Sequence, residues 1–400
     1  MYLKAHWVYG KKVNRVINAI ENFGCSIRFV GGCIRDTLLQ REVHDIDLAT
    51  NLLPNRIIDA LKLDHITAVP TGIKHGTVTA VLDGKSFEIT TLRQDIKCDG
   101  RHAEVNFTDD WQTDASRRDF TFNALYADKH GNIYDYFHGI EDLKNRQLNF
   151  IGNAEDRIKE DYLRILRAFR FHADICIGNL SDEIIEACSK HSDMLKKLSG
   201  ERIRDEIFKL LESKNPVPTL KIMQKFAILQ KIIPEEVRCE ILSTDAINSS
   251  DSIVKLALLL STIENPKLEI GEYVSKFLCL SNKQKKKLLF LLHTNIPIEL
   301  SELEQKKYLC LFGRELYCDL IKVHFIKKDK DVDVINRYIS FANSFYIPLF
   351  PISGKDLISI GHQPGKNMGT TLALLKNYWE SSSYKLKKDE LLSYAKKRLT

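Results

Sequence analysis

Residues 28–50 read RFVGGCIRDTLLQREVHDIDLAT, and this stretch organises the rest of the chain. Ile27, Phe29 and Val30 are β-formers that end a strand. Gly31 and Gly32 then allow a tight turn in which the backbone lies close to a ligand. Cys33 to Leu39 carries apolar residues at helical spacing, with Arg35 and Asp36 off that face. After a polar link, His44 to Ala49 reads as a short strand. Asp45 and Asp47 are two apart in it, which puts both carboxylates on one face. Two such groups side by side repel unless a cation sits between them, and compact oxygen donors suit Mg²⁺ where substrate phosphates complete its shell. An isolated D-x-D more often marks a solvated strand edge or turn. Strand, Gly-Gly, helix with Arg35, then D-x-D is a more specific order: helix amides and Arg35 can hold a triphosphate while the aspartates hold its metal.

Length and composition set the frame. Four hundred residues bury a large core and predict two or more domains. Hydrophobic content of 44% and charged content of 28% are those of a globular protein in water. A net charge of +6 suits a polyanionic partner without requiring one. The nine cysteines form no C-x-x-C pair and no zinc-type spacing with histidine, which predicts reduced thiols and a cytoplasmic protein. No apolar run reaches membrane-spanning length, so no membrane is expected as partner, and MYLKAHWVYGKKV has no signal-peptide core.

The periodicity continues on both sides. Val13, Val16, Ile17, Ile20 and Phe23 predict a helix over 11–23, and Pro54 opens a second over 54–63. Thr77 to Leu82 alternates as a strand, Asp83-Gly84 marks a hairpin, and Phe87 to Leu92 returns with Glu88 on it, a residue that a strand glutamate paired with a nearby basic side chain explains equally well. Arg93 to Asp110 is poor in apolar residues and reads as a mobile surface loop carrying Arg93, Asp99 and Arg101. In RRDFTFNA (117–124), Asp119 is placed to cap a following helix. IKEDYLRILRAFRF (158–171) predicts one helix, its face at 158, 162, 165, 166 and 169 buried, with Asp161, Arg164, Arg167 and Arg170 away from it. Glu160–Arg164 and Asp161–Arg164 pairs on a solvated face are the simple explanation of those charges. Asp accepting and Arg donating one turn apart also match the amine-plus-ring-nitrogen edge shared by cytosine and adenine. Guanine and uracil present the reverse pattern and leave polar groups unpaired. Ser199 is a plausible cap for an amphipathic helix in SGERIRDEIFKLL. From about residue 225 the chain is helical by period, with Lys283, Lys285, Lys286 and Lys287 at one helix start, either a solvated charge run or a patch for RNA phosphates.

GGCIRD with HDIDLAT resembles the first motif of the class II tRNA nucleotidyltransferase and bacterial poly(A) polymerase family. RRDFTFNA is similar to the second, departing at Phe122, where the family more often has Ile or Met. Tyr134 to Leu143 resembles the third, a hinge, EDYLR matches the fourth, and SGERIRDEI resembles a fifth that buttresses it. The tail, with Gly354-Lys355-Asp356-Leu357 and Gly365 to Gly369, is similar to the family's tRNA-holding segment. The resemblance implies an α+β fold: a nucleotidyltransferase head with a mixed sheet (1–145), then all-α neck (146–225), body (226–345) and tail (346–400).

It further implies a two-metal nucleotidyl transfer in which Asp45 and Asp47, with Glu88 as candidate third carboxylate, bind two Mg²⁺ ions. Gly32, Arg35 and Arg118 then contact phosphates, Asp119 the sugar, and Asp161 and Arg164 the base, with Arg167 and Arg170 completing the nucleotide site. The segment around Arg93, Asp99 and Arg101 becomes the flexible loop that helps switch from C to A addition. The function implied is template-independent building or repair of the tRNA 3′-CCA end from CTP and ATP, with the acceptor and T arms read by shape. Poly(A) polymerases, CC-only and A-only enzymes share these motifs. The intact 93–110 segment argues against CC-only, and a short, mildly basic C-terminus against poly(A) synthesis. A catalytically silent RNA-binding protein is the alternative from another class, disfavoured by the intact D-x-D.

Overall fold

The computed structural model describes residues 2–99, 102–264, 267–363 and 365–397, and they group into two compact units. The first comprises residues 1–236 with 276–280, the second 237–275 with 281–400.

The first unit is built on a mixed sheet. Strands β1 (Ile27–Val30), β2 (Asp47–Thr50), β3 (Thr67–Gly72), β4 (Thr77–Leu82), β5 (Lys85–Thr91), β8 (Leu125–Ala127) and β9 (Ile133–Asp135) lie in the order β3-β4-β5-β2-β1-β8-β9. Only β2 and β5 pair in parallel; the hairpin at Asp83-Gly84 (Gly84 φ +75°) brings β5 back beside β2. That parallel register sets Asp47 opposite Glu88. Helices α1 (Lys11–Glu21), α2 (Gly32–Leu38) and α3 (Pro54–Leu63) cover the sheet, with Val13, Val16, Ile17 and Ile20 of α1 buried as their period predicts. Pro54 opens α3 at its first turn.

Two sequence expectations change at this sheet. The stretch read as an open loop is a two-stranded antiparallel ribbon, β6 (Arg93–Asp99) with β7 (His102–Phe107). In sequence HAEVNF alternates polar and apolar, but RQDIKCD is largely polar and its pairing shifts register between Asp95 and Lys97, so the stretch as a whole reads as a loop. Arg101 and the side chain of Asp99 lie outside the described residues. The expected strand from His44 begins only at Asp47, leaving Asp45 exposed in the preceding link.

Beyond β7 come α4 (Trp111–Ser116), α5 (Gly139–Asn145), α6 (Ala154–Glu160), α7 (Leu163–Ile175), α8 (Asp182–His191), α9 (Gly200–Glu212) and α10 (Pro216–Lys225). The single helix expected over 158–171 is therefore two, because Asp161 takes an extended conformation (φ −150°, ψ 106°) between α6 and α7. Rings of Phe120, Phe122, Phe150 and Phe171 pack at centroid distances of 4.7–5.7 Å. This buried cluster joins the RRDFTFNA segment to α7 and accommodates Phe122 at the position where the motif departs from its usual aliphatic residue. Helix α9 packs along α7. Ser199 stands at the α9 N-cap but its side chain caps nothing.

The second unit is helical: α11 (Ser252–Leu260), most of α12 (Lys267–Phe277), α13 (Asn282–His293), α14 (Glu302–Phe312), α15 (Arg314–Lys327), α16 (Val332–Ser344), α17 (Gly354–Ser359), α18 (Lys366–Ser381) and α19 (Lys388–Lys396). Helix α11 is buried on every side, which its near-continuous apolar sequence SIVKLALLL requires. Reciprocal Ser–Gln, Ser–Glu and Ser–Asp caps start α13, α14 and α17.

Candidate active site

Gly31 closes β1 at φ +74° and starts α2, a backbone conformation that favours glycine. On the neighbouring strands the carboxylates of Asp47 and Glu88 share one face of the sheet, and Asp45 adds to their field. Burial, then the repulsion of Glu88 and Asp45, push the Asp47 carboxyl up to about 6, against the pull of Arg118. Among the described residues none of the three carboxylates has an ion-pair partner within the chain. Hard oxygen donors lacking an internal cation fit a divalent metal ion. A second acidic group, Asp251, Glu315 and Asp319 in the other unit, also comes together, but the Lys287 ammonium already lies among its members and pairs with each of them.

Arg118 is held by residues that the sequence did not single out. Its Nε donates to the Tyr126 hydroxyl (3.0 Å) and its Nη2 to Asp114 (3.3 Å), while Tyr126 donates to the same aspartate (2.6 Å). Asp114 is buried; burial alone would raise its carboxyl, but Arg118 and Arg117 hold it down at about 2. Arg35 donates to Asn123 Oδ1 (2.7 Å) and pairs with Asp36. Asn123 in turn donates to Asp119 Oδ1 (3.0 Å).

Asp119 does not cap a following α-helix. Only a short 3₁₀ turn (Thr121–Asn123) follows, and the buried carboxylate instead accepts from Phe120 N and from Arg167 (Nε 2.7 Å, Nη2 2.6 Å). Burial opposes its charge, yet Arg167 and Asn123 keep it at about 2. Arg167 also lies 3.5 Å from Glu206, which binds Arg170 at 2.5 Å. The Phe171 ring lies under Arg170, Arg167 and Arg35, at 3.8, 5.4 and 5.0 Å. Arg35, Asp119, Arg167 and Arg170 thus form one network, brought together from three separate segments.

Asp161 and Arg164 are each engaged, though not with each other. Asp161 accepts from Leu163 N (3.1 Å) and from Arg202 Nη2 (2.6 Å). Arg164 donates to Glu160 (2.7 Å) and to the carbonyls of Arg157 (3.0 Å) and Arg117 (2.9 Å). The Glu160–Arg164 pair expected from simple helix spacing is present. Arg202 and Glu206 were missed as individual residues. Their spacing of four on α9, one face of a helix, was the available signal.

Arg93 donates to the His75 carbonyl and lies 3.5 Å from Asp95. Of the four candidate RNA-binding lysines, Lys283 and Lys286 are exposed. Lys285 pairs with Glu272. Lys287 is a correction: its side chain is only 14% exposed and meets Asp319 (2.7 Å), Asp251 (2.8 Å) and Glu315 (3.4 Å). Burial works against its charge, but hydrogen bonds to Asp251 and Asp319 hold the ammonium above the usual lysine range. It is a structural cation, because its long stem reaches inward between α11 and α15.

Residues 27–149 match the family model described as Poly A polymerase head domain, and residues 179–237 the one described as Probable RNA and SrmB- binding site of polymerase A. The fold is similar to that of the Bacillus stearothermophilus CCA-adding enzyme solved in complex with CTP (TM-score 0.75, 24% identity, 96% of each chain covered). The Lactobacillus helveticus CCA-adding enzyme is 41% identical over 204 residues, 50% of this chain and 49% of that one. The human protein named CCA tRNA nucleotidyltransferase 1, mitochondrial, is 34% identical, over 93% of this chain and 86% of its own length. The zebrafish (Danio rerio) protein of the same name is 35% identical over 376 residues, 92% of this chain and 86% of its own, and on that likeness the chain belongs to the CCA tRNA nucleotidyltransferase family.

Proposed function

We propose that this protein adds and repairs the 3′-terminal CCA of tRNA, using CTP and ATP and no nucleic-acid template. The observation that carries the reading furthest is the Asp47–Glu88 register on parallel strands, with Arg118 acting on Asp47, in the same unit as a network of arginines. Asp45 and Asp47, with Glu88 beside them, are suited to hold divalent ions, which we take to be two Mg²⁺. Bound there, such ions neutralise phosphate charge and activate the α-phosphate toward the RNA 3′-hydroxyl as pyrophosphate leaves.

The chain's own residues orient the nucleotide. Gly32, Arg35 and Arg118 suit the triphosphate, since Arg35 and Arg118 are fixed by Asn123, Tyr126 and Asp114 before any ligand arrives. Asp119 suits the sugar, and Arg167 and Arg170 complete the basic wall. Asp161 accepts from, and Arg164 donates to, the edge shared by cytosine and adenine, and guanine or uracil would leave both unpaired. The β6–β7 ribbon with Arg93, Asp99 and Arg101 is suited to the change from C to A addition. We retain head, neck, body and tail at 1–145, 146–225, 226–345 and 346–400 as functional divisions, with body and tail for the tRNA acceptor and T arms. No described helix is long and apolar enough to cross a membrane. The eight described cysteines are free, which supports a reducing compartment and a cytoplasmic place of work.

One tRNA transcript in three forms, ending at the discriminator base, at -C and at -CC, tests this reading with Mg²⁺ and CTP, ATP or both. All three are expected to end in -CCA and stop. A single A added only to the -CC form, a halt at -CC, or long A tails on any RNA would each replace the assignment with a different member of the family. Asp45→Ala is expected to abolish transfer while tRNA binding persists; continued addition in that variant would remove the metal assignment.

A further inference from the structure

The link between α2 and β2, residues 39–46, carries Asp45 outside any strand, and its two ends are held by the main chain. Where it begins, α2 ends in a turn with Gln40 at φ +57°. There the Gln40 amide donates to the Thr37 carbonyl (3.0 Å) and the Arg41 amide to that of Asp36 (2.8 Å). Where it ends, Asp47 enters β2 and pairs with β5. The Arg41 side chain adds a tie of another kind. Its Nη1 donates to Asp174 Oδ2 (2.7 Å) and its Nη2 to the Asp174 main-chain carbonyl (2.6 Å). Asp174 lies in the last turn of α7, where carbonyls lack a partner within the helix. One guanidinium thus pairs with a carboxylate and caps a helix end, and the Arg41 and Asp174 side chains are only 22% and 27% exposed. Among the described residues, no other side chain of the link makes a hydrogen bond.

We infer that Arg41 is a positioning residue for the metal site: it ties the link that carries Asp45 to α7, so that this carboxylate is held in place before an ion arrives. The inference rests on the metal role proposed above for Asp45. Asp45 follows Arg41 closely in the chain and precedes the first residue of β2 by one, so fixing Arg41 leaves only a short free span. With the Arg41 side chain released, that span must be ordered by the ion itself, and the freedom lost on binding weakens metal affinity. The partner of the tie matters too. Helix α7 starts at Leu163, beside Arg164, and Asp174 lies roughly 15 Å further along it. A nucleotide reaching from the metal to the base spans the link and this helix, and Arg41 joins the two.

The test is a double-variant cycle on the full chain with two readouts: binding of Mn²⁺ alone, followed by electron paramagnetic resonance, and the Mg²⁺ dependence of CTP addition to a tRNA ending at the discriminator base. Arg41→Met keeps an apolar stem and removes both bonds. Its Mn²⁺ dissociation constant and its half-saturating Mg²⁺ concentration are each expected to rise roughly fivefold. Selectivity for CTP over UTP should not change, and saturating Mg²⁺ should bring the rate back toward the parent's. A general loosening of the fold would instead lower the rate at every Mg²⁺ concentration. Arg41→Lys, whose ammonium can still reach one acceptor, should recover part of the affinity. Asp45→Ala with Arg41→Met should bind Mn²⁺ no more weakly than Asp45→Ala alone, since Arg41 acts through Asp45. Parent-like Mn²⁺ affinity in Arg41→Met, a rate that Mg²⁺ does not restore, or losses that add in the double variant would overturn the inference. Parent-like Mn²⁺ affinity in Asp45→Ala would instead remove the metal assignment itself, a separate failure visible in the same data. Should Arg41→Met not fold by circular dichroism, Asp174→Asn, which removes the charge and leaves the main-chain carbonyl, runs the same cycle with the same readings.

Discussion

At the scale of single residues, Asp47 is the carboxylate of the site whose protonation the fold changes most clearly. Its carboxyl is raised to about 6 by burial first and by Glu88 second. Between the ordinary carboxylate range and about pH 6, the native protein keeps a proton that the unfolded chain has lost. Stability of the metal-free protein therefore falls as pH rises through that window. Asp47→Asn removes the repulsion and is expected to stabilise the metal-free protein on the order of 2 kcal/mol near neutral pH while abolishing transfer. Divalent-ion affinity of the parent should weaken below about pH 6, where protons compete for Asp47. Thermal unfolding with and without Mg²⁺ on either side of that pH checks both statements. A variant less stable than the parent would mean that Asp47 is held by contacts other than those described.

At the scale of elements, the site depends on close approaches between short segments. Gly139 opens α5 directly against the turn at Thr121, and a Cβ there would lie 2.3 Å from the Thr121 carbonyl oxygen. The backbone on both sides is pinned. Asp135 accepts from the Phe137, Gly139 and Ile140 amides, and Asp142 accepts from the Thr121 hydroxyl at 2.5 Å. Gly139→Ala must therefore push the Thr121–Asn123 turn away, and with it Asn123, which orients both Arg35 and Asp119. We expect a loss of about 2–3 kcal/mol in denaturant unfolding, with kcat/KM for CTP and ATP falling together. Unfolding at the parent's midpoint would show that the turn yields freely. The break between α6 and α7 belongs to the same scale. By period alone 158–171 is one helix, but Asp161 is drawn out of it by Leu163 N and by Arg202.

At the scale of the whole molecule, the net charge of +6 is distributed between cations that are already spent and cations that are not. Lys287 is spent inside the second unit on Asp251, Asp319 and Glu315, whereas Lys283 and Lys286 on the same helix are exposed. Lys283→Ala and Lys286→Ala are therefore expected to weaken tRNA binding uniformly across sequences, each lowering the salt slope by up to about 1. Lys287→Met should leave that slope unchanged and destabilise the second unit on the order of 2 kcal/mol, because it strands half-buried carboxylates. Binding isotherms over a salt series, with thermal unfolding beside them, separate the two outcomes. A reduced salt slope in Lys287→Met would return that lysine to the RNA-contacting surface.

The sequence by itself determined what is local. The strand–Gly-Gly–helix order at 27–38, the α3 start at Pro54, the Asp83-Gly84 hairpin and the helical remainder all follow from turn chemistry and apolar period acting within a few residues. The motif residues were legible for the same reason, as short runs whose spacing is kept along the chain. The ribbon of β6 and β7 was not, because the largely polar sequence of β6 and its register shift hide the alternation of HAEVNF. Only the tertiary structure decided which charges meet: Glu88 beside Asp47, Asp114 under Arg118, Glu206 between Arg167 and Arg170, and Arg202 on Asp161. It also moved Asp119 from a helix cap to an arginine partner and Lys287 from the surface into an ion-pair cluster. A carboxylate or guanidinium takes its role from whatever faces it, and that neighbour comes from an element distant in the chain, set by packing that no local period encodes.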